Sequence, residues 1–233
     1  MTRTGRSRRR CRSFNLSAFT LKEARVIVMN RDKVARIWTF RALSDLYFGF
    51  DVEYVPFEAN ARFSEIMGLE KFLKAFLLYH RHEDYELLTD QEAREKLQKL
   101  AMKQGHKFDS MLQAVSDLGV DDISRILRTD YDGYLGADLV DAVKAGYMET
   151  RYPIPKPIAD SFPLEGGFTH DPLNSSGITK FIYAVCNACY CSLERNVDFS
   201  MVCRQFQEEF EHRESYSRFN NLFWESRCKA RPK

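Results

Sequence analysis

Apolar residues recur at three- and four-residue steps along most of this chain, and that period predicts helices. Val34, Ile37 and Trp38, then Leu43, Leu46, Tyr47 and Phe50, line one side of a first helix that Pro56 closes. A second helix begins near Phe57 and carries Phe63, Ile66, Met67, Phe72, Leu73, Phe76 and Leu77 to about Tyr79. Its stripe is long enough to require several helical neighbours. Charge density between Arg81 and Thr89 marks a loop. Thr89 then stands three residues before Glu92, the reciprocal arrangement that satisfies free amides at a helix start, and Gly105 stops a helix running to Lys103. Shorter helices follow over Phe108–Leu118, ended by Gly119, and over Asp122–Arg128; Gly136 precedes another over Ala137–Met148.

Residues 151–177 hold five prolines, from Pro153 to Pro172, together with Gly166, Gly167 and Gly177. They form the one long irregular segment, read here as a crossover. Helices resume over Ile178–Arg195 and Asp198–Arg213, and a frayed end rich in Arg and Lys closes the chain. Strand signals are nearly absent. Short links between successive helices favour antiparallel neighbours. The pattern therefore predicts an all-α fold, an antiparallel up-and-down helical bundle with additional C-terminal helices. It divides the chain into an N-terminal arm over 1–28, a bundle over 29–214 and a basic, partly helical tail over 215–233.

A hydrophobic fraction of 44% against 29% charged residues excludes disorder throughout, and 233 residues can bury a core without disulfides. No apolar run approaches the ~20 residues that cross a bilayer, so no membrane role is expected. The formal charge of +2 is unevenly spread: residues 1–28 carry eight basic side chains against Glu23 alone, +7, leaving −5 for the remainder. Such an arm suits electrostatic contact with nucleic acid or anionic lipid, and its acid-poor Arg/Ser composition also suits a cleaved targeting segment. Because a helical pattern starts directly after Met29, a stretch outside the fold is the third reading. Six cysteines without a secretion signal predict reduced thiols and a cytoplasmic location.

Four features occur in a fixed order: a helix ending before Pro56; the run Gly68-Leu69-Glu70-Lys71-Phe72-Leu73-Lys74-Ala75-Phe76-Leu77-Leu78-Tyr79; the turn Lys103-Gln104-Gly105-His106-Lys107-Phe108; and Tyr147-x-x-x-Arg151-Tyr152-Pro153. Together, over about residues 30–195, they resemble HEPN domains. The resemblance implies a helical bundle from prokaryotic toxin and defence systems, associated with nucleotides, RNA or a partner protein. Catalytic HEPN members cleave RNA without a metal, using an Arg that holds phosphate and, four to six residues on, a His for acid–base work. That motif is missing here. The nearest approximation is Arg204 with His212, seven residues between them, which on a continuous helix means ~12 Å of rise and an ~80° offset. Lys107 and Ile154 also stand where family members often carry an acid.

Candidate binding residues follow from the same segments. His106 at a helix start could face a phosphate together with Arg151 and Tyr152; the plainer reading has His106 bonding the Gly105 turn and Arg151 complementing a helix C-terminus. Lys71 and Lys74, one turn apart, form either a basic spot or a solvated face. Cys186, Cys189 and Cys191 sit in an apolar helical run, with Cys189 and Cys191 ~200° apart, so they read as small hydrophobes and no metal is expected. His80-Arg81-His82-Glu83-Asp84 reads as a solvated loop after a helix end. Asp130-Tyr131-Asp132-Gly133 fails as a calcium loop, because Gly133 at the sixth position puts Arg128 first and Leu139 last. No phosphate-cradling glycine motif occurs, and no cofactor is expected.

The leading expectation is thus a non-catalytic HEPN-like binding module for a nucleotide, RNA or partner protein. One alternative is a ribonuclease using Arg204 and His212, which requires both side chains in one cleft, across a homodimer if need be. The other is a nucleic-acid binder acting through the basic arm, with binding that weakens steeply in salt.

Overall fold

The computed structural model describes residues 30–51, 58–81, 92, 107–151 and 171–228. These residues are 84% helical, and the fold is an all-α bundle. The helices are α1 (Arg31–Asp51), α2 (Glu58–His80), α3 (Phe108–Asp117), α4 (Asp122–Arg128), α5 (Gly136–Arg151), α6 (Ser176–Glu194), α7 (Ser200–Phe210) and α8 (Glu214–Cys228). A two-stranded hairpin, β1 (Asp130–Tyr131) with β2 (Tyr134–Leu135), joins α4 to α5, and a 3-10 turn over Asp171–Asn174 leads into α6. The arm over 1–28 and the helix expected over 89–103, apart from Glu92, lie outside the described residues.

The helix ends have local causes. Asn30 Oδ1 accepts the Lys33 amide at 2.9 Å, satisfying a free donor at the start of α1. Ser175 does the same for Gly177 at the start of α6, at 3.0 Å. Beyond α3 the chain turns at Gly119 with φ +99°, a conformation that favours glycine.

α1 and α2 pack antiparallel along seams of small residues at heptad spacing, Ala35, Ala42 and Gly49 on one and Ala61, Gly68 and Ala75 on the other. A Cβ at Gly49 would stand 2.8 Å from the Ala61 carbonyl oxygen, and one at Gly68 would stand 2.6 Å from Leu46 and 3.1 Å from the Ala42 carbonyl. The backbones approach that closely because no larger side chain intervenes.

α2 is also touched by α3, α5 and α6, and from Ala61 to His80 it has no exposed side chain. It is the innermost helix. Around it lies one hydrophobic core that includes Phe72, Phe76, Phe108, Phe181 and Tyr183.

Three expectations change. The segment after residue 214 is helical to Cys228: α8 buries Phe219 and Phe223 completely, Phe223 stacking on Phe72 at 6.2 Å and edge-on to Tyr183 at 5.8 Å. The core therefore extends beyond the expected boundary, since two phenyl rings four residues apart supply one apolar helix face. α7 stops at Phe210, short of Arg213, whereas α5 runs on to Arg151. The sequence around Asp132 forms the hairpin, where Asp132 (φ +56°) and Gly133 (φ +91°) make a two-residue turn with both central residues left-handed. Asp-Gly is the pair this turn demands.

Candidate functional site

One end of the bundle gathers the start of α2, the end of α5 and the start of α6. Phe63 of α2 meets Tyr147 of α5 with ring centroids 6.3 Å apart, and a Cβ on Gly146 would press on Ile66 and Leu173. Arg151 is the last residue of α5, one turn beyond Tyr147. At this end Arg62 Nη1 donates to Glu65 and, at 2.6 Å, to Thr179 of α6, while the Thr179 hydroxyl donates to Glu65 Oε1 at 2.9 Å. Arg62 and Glu65 are only 8% and 5% exposed, and Arg62 Nε has no acceptor among the described residues. Two opposite charges and a hydroxyl bonded to one another tie α2 to α6.

The start of α3 is tied to the same side of the bundle. Lys144 of α5 reaches Asp109 at 2.9 Å and Asp141 at 2.9 Å. These bonds pull the Asp109 carboxyl below its ordinary value and push the Lys144 ammonium up. Arg151 lies seven residues past Lys144, ~10.5 Å of helical rise. The first turn of α3 is thus bonded to α5 at Lys144, two turns before Arg151. His106 and Tyr152 themselves lie outside the described residues, as does the Arg151 side chain.

Lys71 and Lys74 are corrected. Neither lies on a solvated face: Lys74 is 9% exposed and bonded to Glu70, and half-buried Lys71 is bonded to Asp45 of α1. Burial pushes the Asp45 carboxyl up, and the Lys71 ammonium pulls it partly back. The reason is the packing of α1, α3, α5 and α6 around α2, which leaves its charged residues little access to solvent. Each ammonium has a carboxylate partner, Asp45 for Lys71 and Glu70 for Lys74.

Arg204 is exposed on α7, where its guanidinium donates to the Met201 sulfur at 2.7 Å. His212 is exposed in the turn after α7, so the rise and offset of a continuous helix do not describe its relation to Arg204. His80 also departs from expectation. It is the last residue of α2, half-buried, with its ring 4.3 Å from that of Phe76 and edge-on to Tyr79. Cys186 and Cys189 are fully buried among apolar neighbours on α6, and burial pushes the Cys189 thiol up to about 12. Both are inert as nucleophiles at neutral pH.

Sequence reasoning missed Arg62, Glu65, Thr179 and Asp45. The signal for the first pair was the i, i+3 spacing of Arg62 and Glu65, which is equally common on solvated helices. A second cluster also went unread: Asp132 receives Ser176 Oγ and Lys180 Nζ, the latter at 2.6 and 2.8 Å. These bonds hold its carboxyl below the ordinary range and clamp the hairpin to the start of α6. Compared with family models, with curated proteins and with solved structures, the chain matches none.

Proposed function

We propose that this protein is a non-catalytic helical binding module of HEPN type, serving a nucleotide, an RNA or a partner protein in a toxin- or defence-type system. One observation carries the reading. The segment at the centre of the resemblance, Gly68 to Tyr79, is interior, with Lys71 and Lys74 neutralised by Asp45 and Glu70. Lys71 ties α2 to α1 through Asp45 and Lys74 pairs with Glu70 inside α2, so both charges serve the scaffold. The ligand-facing end in this reading is the end of α5, where Arg151 stands two turns past Lys144, the residue bonded to α3.

The test is incubation of the full chain with single-stranded RNA and, separately, titration with a labelled nucleotide. Intact RNA, with nucleotide binding weakened by Arg151→Ala, is the expected result. RNA cleavage abolished by His106→Ala or His212→Ala overturns it. That second outcome is the ribonuclease reading, and what favours it is the exposure of both Arg204 and His212 beside the end of α7. An Arg204→Ala variant that loses the same cleavage would bind the two residues into one site.

A further inference from the structure

We propose that the outer ridge of α1 docks an acidic amphipathic helix of a partner protein, an inference that rests on reading the protein as a binding module. At 100° per residue, Lys33, Ile37, Arg41, Ser44 and Phe48 fall within an arc of ~80°, spread over ~22 Å of rise. Ile37 is 43% and Phe48 52% exposed, and Lys33 and Arg41 are exposed between and beside them. The core does not require these residues. The opposite side of α1 is committed to α2 through Ala35, Ala42 and Gly49, and Phe40 and Tyr47 meet Phe206 of α7 at 6.5 and 6.0 Å.

A single exposed apolar residue means nothing. Ile37, Ser44 and Phe48 with Arg41 among them repeat at the i, i+4, i+7, i+11 steps by which one helix engages another.

Charge selects the occupant. The acids beside the ridge already have partners: Asp32 lies 3.8 Å from Arg31, and Asp45 is bonded to Lys71 and also attracted by Arg41. The exposed charges on the ridge are therefore cationic, and a helix of about 15 residues with glutamates flanking its apolar positions complements its length and sign. A second copy of this chain would set Lys33 and Arg41 against an equally basic ridge. A membrane surface would gain only two large apolar side chains, little for an interfacial helix.

The probe is a fluorescein-labelled helical peptide with leucines along one face flanked by glutamates; its counterpart carries lysines in place of the glutamates. Fluorescence anisotropy with the full chain should show binding of the glutamate peptide, weakened by salt, and none of the lysine peptide. Ile37→Ser and Phe48→Ser should each weaken binding on the order of tenfold, and Arg41→Glu should shift preference toward the lysine peptide. Circular dichroism of the variants should match wild type, because the substituted side chains face solvent.

Equal affinity in wild type and variants overturns the proposal. So does ridge-dependent binding to phosphatidylserine vesicles without peptide binding, or a dimer in sedimentation that Phe48→Ser dissolves. RNA cleavage would remove the non-catalytic reading without altering the peptide titration, whereas loss of ridge dependence leaves nucleotide binding at Arg151 untouched.

Discussion

In the middle of α2, Lys74 and Glu70 form an i, i+4 pair whose side chains are 11% and 4% exposed. On α5, Lys144 pairs with Asp141 three residues earlier and with Asp109 of α3, and those side chains are 35%, 74% and 57% exposed. In sequence the two lysines look alike. Their energetics differ because water screens the second set and is excluded from the first. A buried pair has lost its hydration, so each member depends on the other, whereas exposed partners regain water when separated. Residue type therefore does not set a charge's role; its covering does.

The largest effect should come from breaking the inner pair. Lys74→Ala removes a cation bonded to buried Glu70 and should cost about 3 kcal/mol in urea unfolding, while the double change Glu70→Leu with Lys74→Met should recover most of that loss. If the single substitution is as mild as one on α5, the contrast between the two regions collapses. Next comes the seam that lets α1 press on α2. A methyl at Gly68 must displace Leu46, and Gly68→Ala should cost ~1–3 kcal/mol by the same measurement.

The outer pair sharpens the comparison from the other side. Lys144→Ala should cost at most about 1 kcal/mol at pH 7 and low salt, and less as salt is added. Its pH dependence has a defined sign. Because Lys144 lowers the folded pKa of Asp109, this stability is present above the ordinary value of 3.8 and is lost as pH falls through the folded value. Stability curves of wild type and variant should accordingly converge in acid. Smallest of all, Arg204→Ala on the exposed side of α7 should change stability by no more than about 0.5 kcal/mol. A larger loss would mean that its guanidinium does more for the fold than its contact with Met201.

Much of the helical layout was legible because its signals are local. Gly119 ended α3, and Asp122–Arg128 emerged with the expected bounds. The hairpin was not legible, because strands of two residues leave no alternating pattern and the Asp132-Gly133 pair alone marks its turn. The seam of Ala35, Ala42 and Gly49 against Ala61, Gly68 and Ala75 is plain in retrospect, since both sets step by seven. A search for large apolar residues passes over it. At the candidate site, sequence named Arg151 but not the Arg62–Glu65–Thr179 cluster at the same bundle end, because Thr179 lies 117 residues from Arg62 and no periodicity connects them.

By itself the sequence determined that this is a helical bundle and where most of its helices begin and end, since backbone hydrogen bonding, caps and the 3.6-residue period act over a few neighbouring residues. Only the tertiary structure decided that α2 lies innermost, that Lys71 and Lys74 are inside, and that Phe219 and Phe223 complete the core. Those outcomes depend on which distant helices cover a face, and with it on where water can reach. The same covering leaves Ile37 and Phe48 outside on α1, in line with Lys33 and Arg41.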